Sequence, residues 1–186
     1  MPRRTRSYHP SLYHLAPRAS DTRYLFENDG ERQSFLLELA RTLERFEIAL
    51  VAYTLMGTHY HLVVDSLGTG IAPALQRLHT WYARIANSAR ERAAHLFRAH
   101  YFAREITSEE DLLTVCHYVA HNPVEAGLVR EPFAWPWSSA AATAGLARPQ
   151  VPLELEPIRL AFGSRPNWQS RYQAFIAASS QEWSDA

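Results

Sequence analysis

Lysine is absent from this chain: all nineteen basic side chains are arginine. Arginine presents a planar fork of donors that matches phosphate oxygens, although an arginine-rich genome produces the same bias without any function. Cysteine is nearly absent. The lone Cys116 excludes an internal disulfide framework and suits a reducing cytoplasm, the expected location. No long apolar run is present either. The longest, "IALVAYTLM" from Ile48 to Met56, is far too short to span a bilayer, so no membrane partner is expected. The basic opening "MPRRTRSYHPSLYHLAP" has no apolar core and is not expected to be a secretory signal. Net charge is zero, which taken alone argues against a nucleic-acid partner.

The distribution of charge changes that reading. Arg77, Arg84, Arg90, Arg92, Arg98 and Arg104 stand against the single acid Glu91 between Ser66 and Arg104. The first twenty residues carry Arg3, Arg4, Arg6 and Arg18 and no acid, whereas ten acids face five arginines after Arg104. One basic and one acidic face, or merely solvated helix surfaces, would give this pattern. With 186 residues, 47% apolar and 20% charged, the chain is a globular domain with room for a sizeable core and a terminal extension.

Ser7–Pro17 reads as a first strand. Phe35, Leu36, Leu39, Leu43 and Phe46 recur at helical spacing within Glu31–Phe46. "EIALVAYTLM" is an apolar strand, Gly57-Thr58 a turn, and "HYHLVVD" the second arm of a hairpin. A helix is expected over Ala72–Arg90 and a short strand at "HYFAREI". Thr107 with Glu110 three residues on is a capping-box pattern, and Pro123 should stop the helix it opens, giving Ser108–His121 with Asn122 at the final turn. Ser138-Ser139 can cap a short helix. Pro149–Pro157 reads as a linker and Pro157–Ile176 as a final helix or loop. The element order implies an α+β fold: a mostly antiparallel sheet with helices on one face, a domain over residues 1–148 and an extension over 149–186.

Side chains alternate along a strand, so His59 and His61 point one way while Tyr60, Leu62 and Val64 point the other. Two such imidazoles can hold one divalent cation, or can simply be satisfied histidines. On the expected helix, Leu112, Val115, Cys116 and Val119 form an apolar stripe, with Cys116 as a buried thiol. Tyr118 and Asn122 lie four residues apart on its flank and meet side by side. Asn122 can give a carbonyl oxygen to a hard cation; Tyr118 can attack an electrophile, or pack against the core.

"MGTHYHLVV", "LTVCHYVAHNPVEAGLV" and "WPWSS" together resemble the single-tyrosine HUH transposases, and among these the REP-associated tyrosine transposases. The family pattern is Met-Pro-Asn-His-hydrophobic-His-Leu, then Tyr-x-x-x-Asn-Pro-Val-x-Ala-Gly-Leu-Val, then Trp-Ser-Ser. The resemblance runs from about Ser7 to Ala141, and "YLFENDGERQSFLLEL" fits it as well. It implies a ferredoxin-like sandwich, metal ligands at His59, His61 and Asn122, and a nucleophile at Tyr118. The implied cofactor is Mg²⁺ or Mn²⁺, although two imidazoles also suit Zn²⁺. The implied partner is single-stranded or hairpin DNA, cut and rejoined through a 5′-phosphotyrosine, by a monomer or a homodimer. Two departures stand out: Gly57-Thr58 replaces Pro-Asn, and His100 stands where the family often has arginine. Arg77, Arg84, Arg98, His100 and Arg104 are the candidate DNA contacts, with Trp81 or Tyr82 to stack bases. Two other readings follow from the same residues. One is a domesticated hairpin-binding protein that does not cleave; the other is a metal-dependent hydrolase with Asp65 as its base.

Overall fold

The computed structural model describes residues 11–20, 24–66, 70–91 and 95–178. Arg3, Arg4, Arg6 and Arg92, and the start of the expected first strand, lie outside these residues. Strand β1 (Leu12–Ala16), helix α1 (Asp29–Arg45), strands β2 (Ala49–Leu55) and β3 (Tyr60–Asp65), helix α2 (Ile71–Ala89) and strand β4 (Phe102–Ile106) follow one another. The sheet order is β2-β3-β1-β4, with every neighbouring pair antiparallel. This is the split βαβ arrangement of a ferredoxin-like fold, so the expected α+β class and antiparallel sheet are what the chain adopts.

Alternation along the strands feeds two cores. Tyr13 and Leu15 of β1, Leu50, Tyr53 and Leu55 of β2, and Tyr60, Leu62 and Val64 of β3 face α1 and α2. Phe35 anchors this side, its ring 4.9 Å from Tyr60 and 5.1 Å from Tyr82. At a bulge in β2, Leu50 opposes Val64 and Ala52 opposes Val63, leaving Val51 over. Val51 and Ala52 therefore both enter the second core while Leu50 and Tyr53 stay in the first.

The second core corrects the expectation that helices cover one face. Helix α3 (Glu109–Glu125) lies on the other side of the sheet, with Val115, Cys116 and Val119 against Val51 and Val63. Burial raises the Cys116 thiol to about 12, as an inert core cysteine requires. The short α4 (Ala140–Thr143) and helices α5 (Glu156–Ala161) and α6 (Trp168–Ala177) complete this side, contributing Ile158, Phe162, Tyr172 and Ile176. The stretch expected as a linker is docked: Val151 is buried in the first core, and the Glu154 N–H donates to Leu50 O at 2.7 Å.

Two details of α3 differ from expectation. Its N-cap is Ser108, whose hydroxyl accepts from Asp111 N, one residue later than the Thr107 pattern indicated. Pro123 sits inside the helix, which runs on to Glu125. The N–H that proline lacks would have bonded one turn back, and only the last turn follows it. That turn is closed by Gly127 at φ 69, whose N–H donates to Val124 O while Leu128 N–H donates to Pro123 O, a Schellman motif. The Trp/Ser stretch covers the edge of β2. Leu55 N–H donates to Trp137 O, Ser139 N–H to Tyr53 O, and the Trp135 indole to Leu55 O. Of the expected capping pair Ser138-Ser139, the Ser138 hydroxyl accepts from Ala140 N at 3.2 Å at the start of α4, whereas the Ser139 hydroxyl accepts from Tyr53 N.

Arg90 is spent on the fold. Its side chain is only 7% exposed, with Nη2 2.5 Å from Glu31 and bonds to the carbonyls of Tyr24 and Leu25. Arg90→Ala takes the guanidinium partner from Glu31 and a donor from Tyr24 O, while Leu25 O keeps the Tyr82 hydroxyl, and is expected to cost about 3 kcal/mol. A urea titration should show this as a lower midpoint at unchanged slope. An unchanged midpoint would return Arg90 to the surface. Among the described residues, no helix is long and apolar enough to cross a membrane.

Candidate functional site

His61 enters the site because β3 alternates: Tyr60 and Leu62 are fully buried on the α1/α2 side, leaving His61 on the α3 side. His59 precedes the strand and is held by a turn. The Met56 N–H donates to His59 O, the Ala19 N–H to Thr58 O, and Leu25 N–H to Gly57 O. The Gly57-Thr58 departure thus sits in a turn fixed by backbone bonds, with both imidazoles in place. Their ring centroids are 5.0 Å apart and nearly perpendicular.

Helix α3 brings the other two residues. Asn122 Oδ1 is 3.1 Å from His59 Nε2, and its amide nitrogen reaches Tyr118 O at 3.5 Å. The Tyr118 ring lies edge-on to His61 at 5.3 Å and is 40% exposed. The structure therefore brings His59, His61, Asn122 and Tyr118 to one place from two distant segments.

A fifth residue, His14 on β1, completes the cluster. His14 Nε2 is 3.0 Å from His61 Nδ1, the rings are stacked at 5.2 Å, and His14 is 6.0 Å from the Tyr118 ring. Burial, helped by the charge of Arg104, lowers His14 to about 4. Burial, with His14, His59 and Arg18 nearby, lowers His61 to about 3. His59 is lowered by burial too, against the opposing bond to Asn122. All three imidazoles are therefore neutral at pH 7, the state in which a ring nitrogen has a lone pair to give.

These residues suit a cation. His61 Nε2 is buried with no hydrogen-bond partner, while its Nδ1 is occupied by His14. A metal-binding histidine has this arrangement: one nitrogen fixed by a second side chain, the other free for the ion. Among the described residues no three His, Cys, Asp or Glu side chains form a ligand set; the third donor here is the Asn122 carbonyl, which with two imidazoles fits a divalent ion.

The candidate DNA contacts are dispersed. Arg77 and Arg84 lie on α2, across the sheet from Tyr118, beside Trp81 in a surface groove. Arg77 is paired with the buried Glu38 at 3.2 Å. Arg98 Nε donates to Ala19 O, and His100 is exposed just before β4. Arg104 lies opposite His14 but is engaged by Asp111 through two bonds of 2.7 and 2.8 Å. Tyr82 is a core residue, its hydroxyl on Leu25 O. Asp65 lies four residues beyond His61, about 13 Å along a strand, too far to activate water at the imidazoles.

Sequence reasoning missed three side chains here besides these. Arg18 forms an isolated bridge with His59 and is exposed, so its guanidinium lies on the imidazole side. His117 and His121 stack at 4.0 Å and donate to Ala178 O and Ile176 O, tying the end of α6 to the helix that carries Tyr118. Their four-residue spacing was the available signal.

The model of the "Transposase IS200 like" family matches residues 7–122. No curated protein matches the chain in sequence. A solved structure of a REP-associated tyrosine transposase bound to a REP hairpin is similar, with a TM-score of 0.65 and 13% identity, over 83% of this chain and 93% of that one.

Proposed function

This chain belongs to the IS200-like transposase family, and from that premise we propose that it cleaves and rejoins single-stranded DNA presented by a hairpin, through a covalent link to Tyr118. The observation that carries this reading is the exposed phenol set edge-on against His61, whose Nε2 is buried and unpartnered. The similar structure holds a REP hairpin, which makes a DNA hairpin with a single-stranded flank the first substrate to try.

In this reading the Tyr118 oxygen attacks phosphorus and the bond to the 3′ oxygen breaks. The phenol gives up its proton, and the leaving oxygen takes one to become a 3′-hydroxyl. The 5′-phosphotyrosyl link keeps the phosphodiester's free energy, so a second hydroxyl can reseal the strand without ATP. A free phenol has a pKa of about 10 and is scarcely ionised at neutral pH, so positive charge beside it matters. Mg²⁺ or Mn²⁺ held by His59, His61 and Asn122 would supply Lewis-acid stabilisation of charge on the phosphate. His14 holds the His61 ring in the orientation that keeps Nε2 available. Arg18 adds a fixed positive charge next to His59.

The chemistry dictates the assay. A 3′-labelled oligonucleotide should migrate with the protein on a denaturing gel, while a 5′ label is released. Retention of the 5′ label alone would reverse the polarity and contradict the reading.

Arg18→Ala tests the phosphate contact. One lost contact to a single strand should flatten the slope of log Kd against log salt by about 0.7. An unchanged slope would place Arg18 off the DNA.

A further inference from the structure

Phe102 is 52% exposed on the edge strand β4, although it is a large apolar ring. A single exposed ring needs no explanation in itself. Its position asks for one. In the β1–β4 register, Phe102 opposes Ala16 and Arg104 opposes His14, so the ring lies on the sheet face that carries the site. It stands 5.5 Å from the His14 ring, which in turn is 6.0 Å from Tyr118. Helix α3 packs over β2 and β3, and it reaches β4 towards the Ile106 end, through the Arg104–Asp111 fork and Ile106. The face beside Tyr118 is therefore open at Phe102, and the cross-strand partner there, Ala16, is too small to cover the ring.

Arg18 lies on the same face, two residues beyond Ala16, where it bridges His59 and neighbours the Phe102 ring diagonally. A strand whose phosphate reaches Tyr118 meets positive charge and an aromatic face side by side next to it. Arginines on this face suit a polyanion, whereas an apolar protein partner would need more apolar area than one ring. Building on the proposed function, we infer that Phe102 is a stacking platform for a base next to the phosphate that Tyr118 attacks. Every base has a π-face, so the platform fixes the position of the strand and is tolerant of its sequence. Phe102 is thus a positioning residue, and Tyr118 remains the group that touches the reacting atoms.

The test uses the full chain carrying Tyr118→Phe, so that binding is read without chemistry. The probe is a DNA hairpin with a single-stranded oligothymidine flank, in which one abasic position is walked along the flank. Fluorescence anisotropy reads the affinity. With Phe102 present, abasic substitution at the stacked position should weaken binding about 5- to 150-fold, the range that base–aromatic stacking gives. Adding Phe102→Ala should weaken the intact probe by a similar factor and flatten the abasic scan, whereas Phe102→Trp should restore the dependence. A structural role alone would weaken all probes equally and leave the scan shape unchanged, which would overturn the inference. A flat scan with Phe102 present would also overturn it. Wild-type protein that forms no adduct while the scan keeps its dip would support stacking and contradict cleavage; absence of any binding would contradict both.

Discussion

Tyr118→Phe is expected to eliminate the covalent protein–DNA product while leaving the fold and hairpin binding intact. The substitution removes one oxygen from a ring that keeps its edge contacts with His61 and His14. Because that ring is partly exposed, stability should change by less than about 0.5 kcal/mol. The tyrosines of the core are not placed to substitute for it. Tyr13, Tyr53, Tyr60, Tyr82 and Tyr172 are buried, and Tyr60 and Tyr82 are tied through their hydroxyls to His79 and to Leu25 O. Burial also pushes the phenols of Tyr53, Tyr60, Tyr82 and Tyr172 above the ordinary tyrosine value, the reverse of what a nucleophile needs. The loss should therefore be complete on a denaturing gel, with unchanged circular dichroism. An adduct that persists in the phenylalanine variant would assign the nucleophile elsewhere.

His61→Ala should slow adduct formation about a hundredfold or more, because the proposed ion would supply several kcal/mol of charge stabilisation at the phosphate, and each 1.4 kcal/mol is a factor of ten. His61 has the larger expected effect of the two histidines, since its Nε2 has no other partner whereas His59 already bonds Asn122. The variant also leaves His14 Nε2 without its partner inside the protein, so thermal unfolding must be followed alongside activity. Dialysis of the wild-type protein against a strong chelator should give the same loss, and added Mg²⁺ or Mn²⁺ should restore it. The alanine variant should regain little with either ion. Full activity after chelation, or in the alanine variant, would remove the cation from the account.

Much of this arrangement was legible in the sequence, for a physical reason: it rests on local periodicity. A period of two brought His61 of β3 and His59, just ahead of the strand, to one side, and a period near four put Tyr118 beside Asn122. The apolar patterns of α1, α2 and the strands gave the element order and the α+β class, and the resemblance implied the ferredoxin-like sandwich. What failed depended on partners distant in sequence. Phe102 and His14 share a face only through the β1–β4 register, which no local pattern encodes. Arg90 resembles a free basic residue until Glu31 and two carbonyls are folded around it. Arg77 and Arg84 read as part of one basic segment with Arg104, yet α2 and β4 place them on opposite sides of the sheet. Pro123 looked like a stop because its cost is local, while the closure that accommodates it comes from Gly127 and Leu128. The pattern included the helix that became α3, but which face of the sheet it covers depends on its contacts with β2 and β3.

The most direct measurement is to map the residue that holds the DNA. Wild-type protein would be incubated with a 3′-labelled hairpin oligonucleotide and Mn²⁺, digested, and its labelled peptide sequenced by mass spectrometry. The account predicts a nucleotide on the oxygen of Tyr118, within the peptide that also contains Asn122. A cleaved oligonucleotide with no peptide attached, or a label on any other side chain, would contradict it.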